Sequence, residues 1–128
     1  PLKRYPIFRN TMNIEEVRDY CLTLKHTTES FPFDEVTLVF KVENKMYLLV
    51  ALDAADPHIA VKCDPEQAEE LRAHYVAVEP AYHLHKKYWN GIYLERDMPD
   101  DEIRRWIRHS YEEVLRKLPK RIRETYGL

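Results

Sequence analysis

Tyr82-His83-Leu84-His85-Lys86-Lys87-Tyr88-Trp89-Asn90-Gly91-Ile92-Tyr93-Leu94 is the stretch on which the reading of the fold turns. Tyr82, His83, His85 and Tyr88 bring four rings ahead of Trp89, two lysines stand side by side, and the tail Ile92-Tyr93-Leu94 is apolar. This pattern predicts a strand near Tyr82 to His85, a turn at Lys86 and Lys87, and a strand from Trp89 to Glu95. No other segment is as dense in groups able to touch a ligand.

Upstream, Asn13 with Glu16 has the form of a capping box, and Ile14, Val17, Cys21 and Leu24 recur at helical spacing with Tyr20 beside them, predicting a helix from Ile14 to Leu24. Lys25 to Glu29 is polar and ends it. Phe31-Pro32-Phe33-Asp34 reads as a hydrophobic plug under a loop, with a solvent-exposed ligand platform as the sharper alternative. Val36 to Val42 and Met46 to Leu52 predict a hairpin about Glu43-Asn44-Lys45, and His58 to Cys63 a third strand. Asp64 as cap, Pro65 at the first helical position and Gln67 announce a second helix facing inward through Ala68, Leu71 and Tyr75. Pro80 breaks the chain before the central stretch.

The last helix opens on Pro99 and the acids Asp100, Asp101 and Glu102, which suit the positive end of its dipole, and runs to Arg116 and Lys117 before Pro119. Ile103, Trp106, Ile107, Ser110, Val114 and Leu118 mark its buried stripe, and Arg104, Arg105 and Arg108 lie largely outside it. Lys120 to Tyr126 is expected to add a basic turn that frays at Gly127. The order is therefore α-β-β-β-α-β-β-α, an α+β two-layer sandwich of antiparallel sheet with helices on one side.

A chain of 128 residues with 45% hydrophobic content and two glycines has the length of one packed domain. Residues 12–128 are expected to form it. Pro1 to Thr11 is expected to be an N-terminal extension or a cloning remnant. No apolar run approaches the roughly 20 residues that cross a bilayer, so no membrane partner and a cytoplasmic location are expected. Cys21 and Cys63 read as reduced, partly buried thiols. Residues 1–81 hold 9 Lys and Arg against 14 Asp and Glu, a balance of −5, whereas residues 82–128 hold 11 against 8, a balance of +3. That asymmetry allows a local basic patch rather than a wholly basic nucleic-acid binder.

Catalytic and metal constellations are sparse. His83 and His85, two apart on a strand, would share a face, a spacing metal sites use, but a third ligand from His58, Cys63 or an acid is not placed by the sequence. Cys63 precedes a helix start, yet Asp64 opposes its thiolate. There is no Gly-rich phosphate loop and no Cys-x-x-Cys pair. The expectation is a non-enzymatic protein without a cofactor.

Tyr82-His83-Leu84, Lys86-Lys87, Trp89-Asn90, Lys62-Cys63-Asp64-Pro65 and His109-Ser110-Tyr111 together resemble the MmcQ/YjbR family, from about Met12 to about Lys120. The resemblance implies a frataxin-like (CyaY-like) α+β fold, also grouped with secretion-chaperone-like folds, and DNA as partner. His85 and Tyr88 depart from the pattern, where Asn and His are common. The expected interface is Tyr82, His83, His85, Lys86, Lys87, Trp89 and Asn90, extended by Arg104, Arg105 and Arg108 if the last helix lies beside the turn. The other expectation is a protein- or peptide-binding module using an exposed sheet face or edge, as a monomer or weak homodimer. A small-molecule or metal-dependent activity at His83 and His85 is the third.

Overall fold

The side chain of Asn13 accepts the Glu16 N–H at 2.8 Å and the Glu16 carboxylate takes the Asn13 N–H in return, so the capping box starts helix α1, Ile14–Thr23. The computed structural model describes residues 12–128, and the reading of residues 1–11 lies outside them. After α1 come the strands β1 (Thr28–Ser30), β2 (Thr37–Val42), β3 (Lys45–Ala51) and β4 (His58–Lys62). Helix α2 (Pro65–His74) follows, then β5 (Val78–Pro80), β6 (Trp89–Tyr93), α3 (Asp100–Arg116) and α4 (Lys120–Glu124). The expected order is present, with the edge strand β1 and the short α4 added to it. The six strands form one antiparallel sheet in the order β1-β2-β3-β4-β6-β5. Among the described residues no helix is long and apolar enough to cross a membrane.

Alternation along the strands sends Leu38, Phe40, Leu48, Val50, Ile59, Val61 and Ile92 to one face, where they meet Ile103, Ile107, Val114 and Leu115 of α3 in a single contiguous core. The helices cover that face, α3 lying on β2, β3 and β4 and α2 on β5 and β6.

Four local expectations are corrected. Lys25 to Glu29 does not simply end α1, because Thr28–Ser30 pairs with Val39–Lys41 as an edge strand. Its three polar residues carry no apolar alternation, as befits an edge that must not recruit another chain. The strand near Tyr82 to His85 is absent. Its place is taken by Val78–Pro80, which ends on a proline that needs no ladder donor at an edge, and the chain then turns. Phe31 and Phe33 are no plug: they are 47% and 63% exposed. Asp34 accepts the N–H groups of Val36 and Thr37 and the Thr37 hydroxyl, and that turn leaves the two rings outside. Finally, the chain does not fray at Gly127. Gly127 has a φ of 76°, and the Gly127 and Leu128 N–H groups bond back to Glu124 and Arg123, a left-handed helix cap that packs Tyr126 and Leu128 on the core.

The hairpin between β2 and β3 reverses at Glu43 and Asn44, with φ of 49° and 65°. The hydroxyl of Tyr126 donates to the Glu43 carboxylate at 2.6 Å, holding a glutamate in a conformation it rarely adopts. Register between β2 and β3 shifts at Phe40/Lys41, leaving Tyr47 as an extra residue in β3. Pairing of β3 with β4 runs from Val50↔Ile59 to Leu48↔Val61. Tyr47 and Lys62 come next, and there Ser110 of α3 intervenes: its hydroxyl accepts the Lys62 N–H at 2.8 Å and donates to the Tyr47 carbonyl.

The flanking residues of α3 act similarly. The Tyr111 hydroxyl donates to the Lys25 carbonyl at 2.7 Å, closing the end of α1. His109 Nε2 accepts the Asp64 N–H at 3.3 Å, beside the cap of α2. That acceptor role requires an unprotonated nitrogen, and burial holds the imidazole below its ordinary pKa, outweighing Glu113, whose carboxylate lies 3.9 Å from Nε2.

Two outcomes are expected. Ser110→Ala leaves the Lys62 N–H and the Tyr47 carbonyl without their partner and lowers unfolding free energy by about 1–3 kcal/mol, measured by urea denaturation. Because the folded-state pKa of His109 lies below its usual 6.5, its stabilising effect is complete above that value and is lost as pH falls towards the folded pKa. Urea midpoints should therefore decline on going from pH 7 towards pH 5, and His109→Gln, which keeps an acceptor and does not titrate, should show a shallower decline.

Candidate nucleic-acid interface

Residues 81–88 join β5 to β6 as two successive turns. Leu84 N–H bonds to the Ala81 carbonyl, and the Tyr88 and Trp89 N–H groups both bond to the His85 carbonyl, each at 3.0 Å. Ala81 N–H bonds to the Trp89 carbonyl, and Cys63 N–H to the Tyr88 carbonyl at 2.7 Å, so both ends are tied to the sheet. Lys86 and Lys87 stand exposed at the tip. Lys86 Nζ lies 5.3 Å from the Tyr82 ring centre, and Lys87 Nζ lies 5.7 Å from that of Tyr88.

Lys117, at the C-terminus of α3, also brings its Nζ to 5.3 Å from the Tyr88 ring. Lys62, at the end of β4, completes the group. Burial and then the charge of Lys117 push the Lys62 pKa down, with a smaller contribution of the same sign from Lys45 and an opposing one from Glu113. Among the described residues none of Lys45, Lys62, Lys86, Lys87 and Lys117 forms an ion pair. An incoming anion eases the repulsion of the Lys62 ammonium by Lys117 and Lys45, and each aromatic contact costs a lysine little of its capacity to donate to phosphate.

The residues expected from sequence divide. Tyr82, His83, His85, Lys86 and Lys87 are all exposed on the one loop. His83 and His85 are not on a strand, so their two-residue spacing does not give them a common face, and His85 Nδ1 faces the Lys87 N–H at 3.4 Å within the turn. Trp89 is 8% exposed and Asn90 fully buried. The Asn90 amide donates to the Ala68 carbonyl at 3.2 Å, which binds α2 to the sheet. Arg105 pairs with Glu102 and lies over the Trp106 ring, and Arg108 pairs with Glu112. Arg104 and Arg105 precede Lys117 by about 18–20 Å of helix, so α3 reaches the loop by its end and not by these arginines. Lys62 and Lys117 were not anticipated. Alternation along β4 sets Lys62 on the face of His58 and Ala60, but only the pairing of Lys62 with Trp89 brings it beside the loop.

Among the described residues no helix covers the other face of the sheet, where Val39, Trp89 and Gly91 are nonetheless buried and Leu49, Ala60 and Tyr93 half-buried. The paired residues Leu49, Ala60 and Gly91, with Ala51, His58 and Tyr93, floor a groove of about 710 Å³. Phe33 and Tyr82 stand at its margins. The His58 and Tyr93 rings stack at 4.5 Å, and Arg96, paired with Asp56 and Glu79, lies over Tyr93 at 4.0 Å.

Neither thiol resembles a nucleophile. Cys21 and Cys63 are free and buried, and burial pushes each up to about 12.

Comparison with known proteins places these features in a family. The chain is 31% identical over 113 residues to the uncharacterised protein YjbR of Escherichia coli K12, covering 88% of this chain and 96% of that one. It is 28% identical over 107 residues to the uncharacterised protein YbdF of E. coli O157:H7, covering 84% and 88%. A Deinococcus radiodurans protein of known crystal structure superposes with a TM-score of 0.84 at 37% identity, covering 92% of this chain and 90% of that one. A Pseudomonas syringae protein gives 0.70 at 25% identity, covering 80% and 98%. The YjbR family model matches residues 22–113, a span that takes in β2 to β6 and most of α3, and the chain belongs to the YjbR family.

Proposed function

We propose that this protein is a non-enzymatic DNA-binding protein that holds phosphates with Lys62, Lys86, Lys87 and Lys117. The observation that carries this reading is the gathering of those lysines at one end of the sheet: Lys87 and Lys117 lie against the same Tyr88 ring, Lys86 stands beside Lys87 on the loop, Lys62 pairs with Trp89 at the loop's end, and none of the four forms an ion pair among the described residues. Unneutralised charge gathered about the loop that carries Tyr82 and Tyr88 is what a backbone contact requires. With a net charge of −2 the protein as a whole does not attract polyanions, so affinity rests on this patch and is modest at physiological salt.

The peptide-binding alternative finds less support at the sheet edges. β1 and β5 are three residues each, and β5 ends in Pro80, so neither offers a long ladder to an added strand.

Fluorescence anisotropy of a labelled duplex across a salt series tests the proposal. Four phosphate contacts give a slope of log affinity against log salt of about −3 to −4, and Lys87→Ala with Lys117→Ala reduces its magnitude by about 2. Both substituted side chains are exposed, so the fold should survive. A slope unaltered by the double substitution, or no binding of either the duplex or its single strand at low salt, would falsify the assignment.

A further inference from the structure

Three properties of the uncovered groove go together. The first is Gly91 at its floor. A Cβ built on Gly91 would meet nothing closer than 3.7 Å, and its backbone is not left-handed, so the strand has room for a side chain there. A glycine inside a strand weakens it, and here only the groove gains from its bareness: Gly91 and its partner Ala60 leave the middle of the floor open. The second is the pair of rings at the margins. Phe33 at 63% and Tyr82 at 60% are more exposed than the other large hydrophobic residues described, and both line this groove. The third is charge. Lys86, from the same loop as Tyr82, rests over the Tyr82 ring, so a ring surface and an unpaired ammonium group adjoin at the rim. The acid at the rim, Asp34, is held below the usual carboxylate range by the N–H groups of Thr37 and Val36, so its charge is already met by donors.

We infer that the groove takes an unpaired nucleobase, and that the preferred ligand is single-stranded DNA whose phosphates lie on the lysine loop. This rests on the phosphate-binding reading of the lysines and adds the strandedness of the ligand. A trough with an apolar floor, flanked by exposed rings and bordered at Tyr82 by Lys86 of the lysine loop, matches a strand that offers a base to the trough and phosphates to the loop. Duplex reading is disfavoured by the helices: α3 buries one face and pairs Arg105, Arg108 and Arg116 with carboxylates, and α2 bears Glu66, Glu69 and Glu70 on its exposed side.

The probe is a single strand of about 12 nucleotides carrying 2-aminopurine, compared with its duplex by anisotropy and by base fluorescence. The intact protein should prefer the single strand and quench the 2-aminopurine. Gly91→Val, which fills the floor, and Tyr82→Ala, which removes a margin, should each lower the single-strand to duplex affinity ratio about tenfold and abolish the quenching. Thermal unfolding checks that each variant is folded; if Gly91→Val is not, the surface variant Tyr82→Ala decides. An unchanged ratio with quenching intact overturns the groove assignment, and if Lys87→Ala with Lys117→Ala still weakens binding, the phosphate site stands without it. A groove made for an apolar peptide would give no quenching by the intact protein, which likewise overturns the groove assignment. Failure of both strands to bind at low salt overturns both readings.

Discussion

Ser110 is buried where β3 and β4 stop pairing, and its hydroxyl takes the place of the next ladder bond by accepting from the Lys62 N–H and donating to the Tyr47 carbonyl. The apolar stripe of α3 supplies the larger share of the attraction between helix and sheet, but dispersion and hydrophobic burial are tolerant of sliding. A hydrogen-bonded hydroxyl is not. With Ser110 pinned between two strands, and with His109 and Tyr111 tied to the start of α2 and the end of α1, the helix has one axial position. The place of Lys117 against Tyr88 follows from that position, seven residues further along.

The segments through which the chain resembles its family meet one another in space. Lys62 bonds to Ser110 and the Asp64 N–H to His109, while Cys63 and Asn90 bond to their surroundings, at Tyr88 and at Ala68 of α2. These are joints between elements, mostly made by backbone groups and buried polar side chains. A likeness carried by joints speaks directly about fold, and it speaks about function only through the surfaces the joints hold in place. The lysines and the exposed rings of the loop are such surfaces.

Among the described residues helices pack on one side of the sheet only, and that asymmetry has a physical consequence. Leu49, Ala51 and Ala60 are too small or too sparse to form a second core, so the uncovered face stays partly exposed and concave. At one end it adjoins unneutralised lysines; at the other, Arg96 ties Asp56 and Glu79 together over Tyr93, closing that end with paired charge.

Much of the fold was legible because its signals are local. The Asn13 capping box, the Asp64-Pro65 start, the turn at Glu43-Asn44 and the 3.6-residue stripe of α3 each depend on residues within one or two turns of chain. The misreadings have the opposite character. Three polar residues become β1 only because β2 is beside them, and Tyr82 to His85 is a turn because both ends of its loop are tied to the sheet. Phe31 and Phe33 look like core by composition and are kept outside by the hydrogen bonds of Asp34. The candidate site divides in the same way. Lys86 and Lys87 could be read from adjacency, whereas Lys62 and Lys117, 55 positions apart, are brought to the same loop, Lys62 by its pairing with Trp89 and Lys117 by the length and axial register of a helix that sets it against Tyr88. Sequence by itself determined the three longer helices and the four central strands, because periodicity and capping act over a few residues. Tertiary structure alone decided which charges meet, because electrostatic proximity between distant segments exists only once the layers are packed.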